Sequence, residues 1–429
     1  MEYKQAIKPF RVSFDMEKNT LRVKSLRQFT DLSDLSLYWS FTQRGKVLRD
    51  GFIPVLNIRP NRLLSYPIGL DGIDRALGGE LTVSLRQNRA TPWAAAGYEV
   101  GFEQLTLAET VKKPALADTI AEGRSVCVCD GEREIKVTAS ETTYTFCKQC
   151  GLLASVVDHG REMLASPMRP TVWRAPTDND RKIKLDWQKY NMDRAETQCR
   201  SFRILSNDEK KVVLEAELTM GAAVFRPFLY LTVRYTVLAE GGMVVDTHAR
   251  VGEPFYGKEL PPLPRFGFEF LMPEENERLV YFGRGETESY IDKNLASKKG
   301  VFETTVSKHF EPYVRPQENM AHADTDWVSV TSLTGHGLLA LSTDRAFSFN
   351  CSHFTAKQLT ETAHDYELIP MKETVIHIDY RHAGIGSASC GTTLAPRYQL
   401  AEKEFDFSFR LLPTFFHDSD PFDEYGRME

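Results

Sequence analysis

The sequence predicts an all-β protein: a small β-sandwich over residues 1–107, then, after a linker at 108–124, a large stack of antiparallel sheets over 125–414. Two observations carry this. Apolar residues recur at every second position along many segments, a stripe that a helix cannot keep on one face. Gly, Asn and Asp turn signals separate those segments, while helical spacing is confined to 184–196 and 356–367.

Taken in order, Phe10, Val12 and Phe14 form the first stripe, then Leu35, Leu37, Trp39 and Phe41, then Leu81, Val83 and Leu85. Lys18-Asn19, Arg44-Gly45, Asp50-Gly51 and Gly78-Gly79 are expected turns. Short strands at this spacing fit a β-sandwich, and without a cysteine before Cys127 it has no disulfide. Residues 108–123 carry Pro114 and little periodicity, which reads as the linker. Stripes resume at Ile135 and Val137, at Tyr144 and Phe146, and at Leu229, Leu231, Val233, Tyr235 and Val237. Phe266, Phe268 and Phe270 follow, then Ile376 and Ile378, and last Phe405, Phe407, Phe409 and Leu411. So long a succession of strands predicts two large sheets packed face to face. Residues 415–429 are acidic and are expected to form a surface tail.

Composition narrows the function. The net charge of −6 over 429 residues argues against a nucleic-acid binder, whose footprint is basic. No apolar run reaches the roughly 20 residues of a membrane-spanning helix, and the first residues lack a signal-peptide pattern. Seven cysteines, an odd number spread over a long chain, fit reduced thiols. The expectation is a soluble cytoplasmic protein that binds neither nucleic acid nor membrane.

The most legible stretch is Trp173-Arg174-Ala175-Pro176-Thr177-Asp178-Asn179-Asp180. Pro176 pushes Ala175 into extended backbone, and the short polar side chains after it favour a tight turn that Arg174 can brace by pairing with a carboxylate. A calcium loop is the alternative, but counted from Asp178 its Gly and Glu positions hold Ile183 and Lys189. Cys127, Cys129, Cys147 and Cys150 could be zinc thiolates or, for the latter pair, a redox site; plain sheet thiols are the simpler reading. Neighbouring carboxylates such as Glu274 with Glu275, or Glu286 with Glu288, read as solvated turns, and His364 and His382 as structural histidines.

The string Arg174–Asp180 resembles a signature of the C-terminal domain of the large β-galactosidases of glycoside hydrolase family 2. It is followed, in that family's order, by Gly283-Arg-Gly-Glu-Thr-Glu-Ser-Tyr-Ile-Asp-Lys293, Pro312-Tyr-Val-Arg-Pro-Gln-Glu-Asn319, Glu361-Thr-Ala-His364 and His382-Ala-Gly-Ile-Gly386. Upstream, Trp39, Gly45 and Thr91-Pro-Trp-Ala-Ala-Ala-Gly-Tyr98 are similar to its penultimate, immunoglobulin-like domain. The resemblance implies an immunoglobulin-like sandwich followed by a β-supersandwich of the galactose-mutarotase type. It implies a retaining enzyme acting on terminal β-D-galactosides such as lactose, as a homo-oligomer when intact.

In that family both catalytic glutamates stand on a (β/α)₈ barrel, and this chain has no alternation of strands and helices to make one. No catalytic residue is therefore assigned, and no cofactor; the magnesium and sodium of intact members are held by segments absent here. The implied partner is the catalytic barrel portion or large subunit. The substrate-proximal candidates are His382, Gly386, Ser387, Ser389 and Cys390, with Asp178, Asn179 and Asp180. Cys390 stands where the best-known members place a tryptophan under the sugar. The loop 384–391 is expected to be exposed, at the same end of the sandwich as a shortened loop over 178–185. Two competing readings are a stand-alone carbohydrate-binding or assembly module, and a mutarotase-like enzyme with a histidine acid facing a carboxylate base in one sheet.

Overall fold

In the computed structural model the alternating stripes become strand faces. The structure describes all residues except 75–76, 108–124, 254–258, 416–419 and 427–429. It is mostly strand, with four short helices among the described residues, Glu2–Ala6, Ile183–Lys189, Ala356–Glu361 and Pro421–Gly426. Two compact units emerge, one from the chain up to about residue 112 together with 294–301, the other from the remainder. The expected linker lies outside the described residues.

In the first unit a three-stranded sheet (Phe10–Asp15, Thr20–Ser25, Leu63–Pro67) faces a four-stranded one (Lys46–Ile53, Leu35–Gln43, Glu80–Gln87, Glu99–Thr106). Phe10, Leu21 and Val23 from one sheet meet Leu35, Leu37, Phe41, Leu81, Val83 and Leu85 from the other, all buried. Each such side chain contributes about 1.5–3 kcal/mol on burial. Arg44 and Gly45, with φ of 49° and 70°, make the tight hairpin the sequence predicts. Asp50-Gly51 is no turn: it lies inside Lys46–Ile53, where a Cβ on Gly51 would sit 2.5 Å from Trp39 Nε1. Glycine is required there by the indole, not by a bend.

The second unit stacks one nine-stranded antiparallel sheet against two five-stranded sheets. The nine strands run in the order Glu196–Asn207, Lys211–Gly221, Leu229–Leu238, Met243–Val251, Glu404–Thr414, Gly337–Ser342, Trp327–Thr331, Arg278–Arg284, Lys299–Thr305, the first three residues of the last belonging to the 294–301 segment of the first unit. Tyr235, Val245 and Phe409 share one row of its inner face through the registers Tyr235↔Val245 and Val245↔Phe409. Phe146 of the first five-stranded sheet (Arg161–Glu162, Leu152–Asp158, Thr142–Cys147, Glu134–Ala139, Val126–Asp130) packs 5.1 Å from Tyr235, and Phe268 of the second 5.6 Å from Phe409. One continuous core therefore joins all three sheets.

The helices are shorter than their periodicity suggested. Asn191, in the left-handed region at φ 56°, follows Ile183–Lys189, and residue 196 already begins a strand. Ala356–Glu361 is capped by the reciprocal Thr355/Gln358 pair and stops at the extended Thr362. The chain end also differs from the expected surface tail. Pro421–Gly426 is helical, and Phe422 packs edge-on against Trp327 at 5.3 Å, because Trp327, Leu339 and Leu341 need an apolar cover on the sheet's outer side.

Candidate functional site

The site is built on the second five-stranded sheet, ordered Arg169–Thr171, Arg265–Met272, Thr374–His382, Phe347–Ser352, His322–Thr325. On Arg265–Met272, Phe266, Phe268 and Phe270 point into the core, which turns Arg265 and Glu269 to the opposite face. Loops cover that face, so both stay buried and must be paired. Arg265 binds Asp379 on the neighbouring strand and lies 3.5 Å from Glu318 Oε2; Asn350 Nδ2 donates to Glu318 Oε1 at 3.1 Å. Burial alone would raise the Asp379 carboxyl, but Arg265 and the hydrogen bond from His382 (3.1 Å) hold it down to about 2.

Above this network sits the Trp173–Asp180 stretch. Arg174 is fully buried, and its Nη2 and Nε reach the two oxygens of Asp180 at 2.8 and 3.2 Å. The same guanidinium donates to the carbonyls of Ala383 (2.5 Å) and Gly384 (3.3 Å). Asp180 also accepts from the Thr177 amide at 2.9 Å, so its oxygens are taken up by the turn rather than by a calcium ion. Asn179 Nδ2 donates to the carbonyl of Ile385 at 2.5 Å. Asp178 is exposed and its amide binds Gln317 Oε1. The expected loop over 178–185 is instead a 3₁₀ turn, Asp178–Arg181, running into the helix Ile183–Lys189. Thr177 and Asp180 cap it reciprocally, a local signal present in the sequence.

Four of the five motifs thus meet at one place. Asp292 accepts from the amides of Ile385 (2.9 Å) and Gly386 (2.8 Å), and the Glu318 amide donates to the Ala175 carbonyl at 3.0 Å. The fifth contributes less: His364 is half-exposed, stacked on Tyr366, and only the adjacent Thr360 reaches the site, accepting from Trp173 Nε1 at 3.2 Å. His382 is buried beside Tyr290 and Asp379, and burial lowers its pKa, which makes it a structural imidazole.

Past its base, the loop after His382 opens outward. Gly386 and Cys390 are exposed, Ser387 and Ser389 are half-exposed, and Ala388 takes a left-handed φ of 83°. The structure therefore brings Asp178, Asn179 and Asp180 together with residues 382–389. A cavity of about 510 Å³ lies between them, its wall including Asp178, Arg181, Lys184, Arg315 and Ser389. Sequence reasoning missed Arg265, Asp379, Asp292 and these cations. Arg265 and Asp379 sit at the polar positions of striped strands, which read as solvent-facing until loops are seen to cover them.

A larger cavity, about 1040 Å³, opens beside Trp173, Arg169 and Glu269. Glu269 pairs in register with His377, 3.4 Å away, so the imidazole and carboxylate that a mutarotase-like enzyme would set on either side of a sugar bind each other instead. Their protonation does not suit that chemistry. Burial holds His377 down to about 4, so it is neutral and no proton donor near pH 7.

The four clustered cysteines do not converge. Cys127 and Cys129 are exposed on Val126–Asp130, whereas Cys147 and Cys150 flank a turn two strands away. Among the described residues no three His, Cys, Asp or Glu side chains are grouped together to hold a metal ion.

A family model described as beta galactosidase small chain matches residues 138–411, and one described as beta-galactosidase, domain 4, matches 21–108. A beta-galactosidase of Actinobacillus pleuropneumoniae is 32% identical over 96% of this chain and 39% of its own length. One from Staphylococcus xylosus is 33% identical over 73% of this chain and 31% of its own. The chain therefore spans between about three and four tenths of these relatives. Among solved structures, a galactose 1-epimerase from Lactobacillus acidophilus aligns over 69% of this chain and 100% of its own, at 10% identity and a TM-score of 0.33, too loose a superposition to bear on function.

Proposed function

The chain belongs to the beta-galactosidase small-chain family, and on that premise we propose that it is the C-terminal portion or small subunit of a β-galactosidase, forming one wall of the substrate pocket. In this reading the enzyme is a retaining hydrolase of glycoside hydrolase family 2 that removes terminal β-D-galactose from substrates such as lactose, in the cytoplasm and as a homo-oligomer. Two glutamates of a barrel outside this chain, about 5 Å apart, do the chemistry. One protonates the glycosidic oxygen as the C1–O bond breaks, while the other's carboxylate bonds to C1. Water then hydrolyses the galactosyl ester and returns its proton to the first.

This chain's part is positional. The observation that carries the reading is the loop after His382, fixed at its base by Arg174, Asn179 and Asp292 while Ser387, Ser389 and Cys390 face outward. A rigid base with an unpacked tip suits a loop whose contacts belong to a second body. Cys390 supplies less stacking surface than an aromatic ring.

Incubation with an aryl β-galactoside tests this. The isolated chain is expected to give no turnover above buffer, and addition of the cognate barrel portion to restore it. Turnover by the isolated chain that survives repurification would sink the reading, as would failure of the two portions to form an active enzyme. In the assembled enzyme, Cys390→Trp should shift KM by no more than about tenfold, the scale of one aromatic contact, and leave unfolding unchanged.

A further inference from the structure

The cavity beside Asp178 has an unusual wall. Arg181, Lys184 and Arg315 all line it, and none of the three has a side-chain hydrogen bond, ion pair or ring contact among the described residues. Other arginines near this sheet are engaged: Arg174 with Asp180, Arg265 with Asp379, Arg169 with Glu269. Against the three cations the cavity sets one carboxylate, Asp178, so its wall is net positive in a chain of net charge −6. Two more polar groups without a side-chain hydrogen-bond partner among the described residues, the Gln188 amide and the Ser389 hydroxyl, share the wall. At about 510 Å³ the cavity falls within the roughly 300–1,000 Å³ of small-molecule sites. Unpaired guanidinium groups in a concave wall match a phosphate or carboxylate, which a guanidinium binds through two parallel hydrogen bonds.

We propose that this cavity takes the anionic group of a saccharide, a sugar-borne phosphate or carboxylate, so that the assembled enzyme favours galactosides carrying negative charge over neutral ones. The sugar is argued from Ser389, which belongs to the loop assigned above to the substrate pocket, and that half of the inference rests on the proposed function. The anion does not; it rests on the cations alone. An acidic face of the catalytic portion is the rival occupant. A concave wall of this volume fits a small ligand better than a flat protein surface.

Calorimetric titration of the full chain at low salt, with galactose 6-phosphate, galacturonate, inorganic phosphate and galactose, tests this. Low salt matters because exposed charges are screened beyond about 10 Å at 0.1 M. The expected result is saturable binding of galactose 6-phosphate or galacturonate, at least about tenfold tighter than galactose. The charged sugar should also bind more tightly than inorganic phosphate. The pair Arg181→Gln and Arg315→Gln should weaken it by about tenfold or more, the scale of one charge-assisted hydrogen bond or better. All three cations are outside the core, so the variants' melting temperatures should match the parent and a folding defect would be visible separately. Absence of saturable binding, equal binding of galactose, or binding untouched by the double variant overturns the proposal. Binding that vanishes when the barrel portion is added assigns the cations to an acidic partner face and overturns it too. Binding as expected in a chain that forms no galactosidase in trans supports the anion site and counts against the proposed function instead.

Discussion

Arg174 holds three things with one guanidinium: the Asp180 carboxylate and the carbonyls of Ala383 and Gly384. It also lies 5.6 Å from the Trp187 ring. A buried charge so placed is costly to disturb, because removing it leaves Asp180 ionised, buried and held only by Thr177. Arg174→Met should therefore cost about 3–5 kcal/mol, read as a fall in the urea midpoint. Adding Asp180→Asn should recover part of that loss, since no unpaired charge then remains. If the double variant is as unstable as the single one plus a second full penalty, the pairing is not what stabilises the turn. The pairing of Arg174 with a nearby carboxylate was legible in the sequence from their spacing; its grip on Ala383 and Gly384, about 210 residues away, was not.

Among the elements, the loop after His382 is defined by what clamps it. Asp292, from the turn after Arg278–Arg284, accepts two successive amides, and a Cβ on Gly384 would lie 2.5 Å from its Oδ2. The close approach explains the glycine. Asp292→Ala should release the clamp, and hydrogen exchange should then lose protection at Ile385 and Gly386, each bond having contributed about 1 kcal/mol or more. Amides of Thr374–His382 should keep theirs, because that strand is paired on both sides. Unchanged exchange at Ile385 and Gly386 would show that Arg174 and Asn179 alone fix the base. The glycines of this segment announced a bend; the acid that meets them lies 93 residues upstream, inside the motif Gly283–Lys293, and no local pattern shows that the two touch.

At the scale of the larger unit, buried ionisable groups make stability depend on pH. Burial drives His377 and His309 down to about 4, with Arg265 adding to the effect on His377 and the Cys351 carbonyl partly opposing it on His309. Both values lie below the ordinary 6.5, so between those limits the unfolded chain binds more protons than the folded one. Their contribution is full above about 6.5 and is lost as pH falls toward 4. Asp379, at about 2 against an ordinary 3.8, extends the loss from about 4 down to about 2. Urea midpoints measured from pH 7.5 to 4 should fall steadily below about 6.5. A flat profile across that window would mean the histidines are not buried neutral in solution.

By itself the sequence determined the strands and their inward faces. Stripes such as Phe405, Phe407, Phe409 and Leu411 are buried as read, because a two-residue period admits one secondary structure and one core-facing side. It also determined the motifs by which the family could be recognised. Only the tertiary structure decided which sheets those faces join, that Gly51 yields to Trp39 rather than to a turn, and that Phe422 returns the chain end to Trp327. It alone decided that the polar side of Arg265–Met272 is buried, so that Arg265, Glu269 and Asp379 became a network instead of a solvated face. The physical reason is the range of the interactions: alternation and caps act over a few residues, whereas the cover of a sheet face and the pairing of a buried charge depend on loops a hundred or more residues apart in the chain.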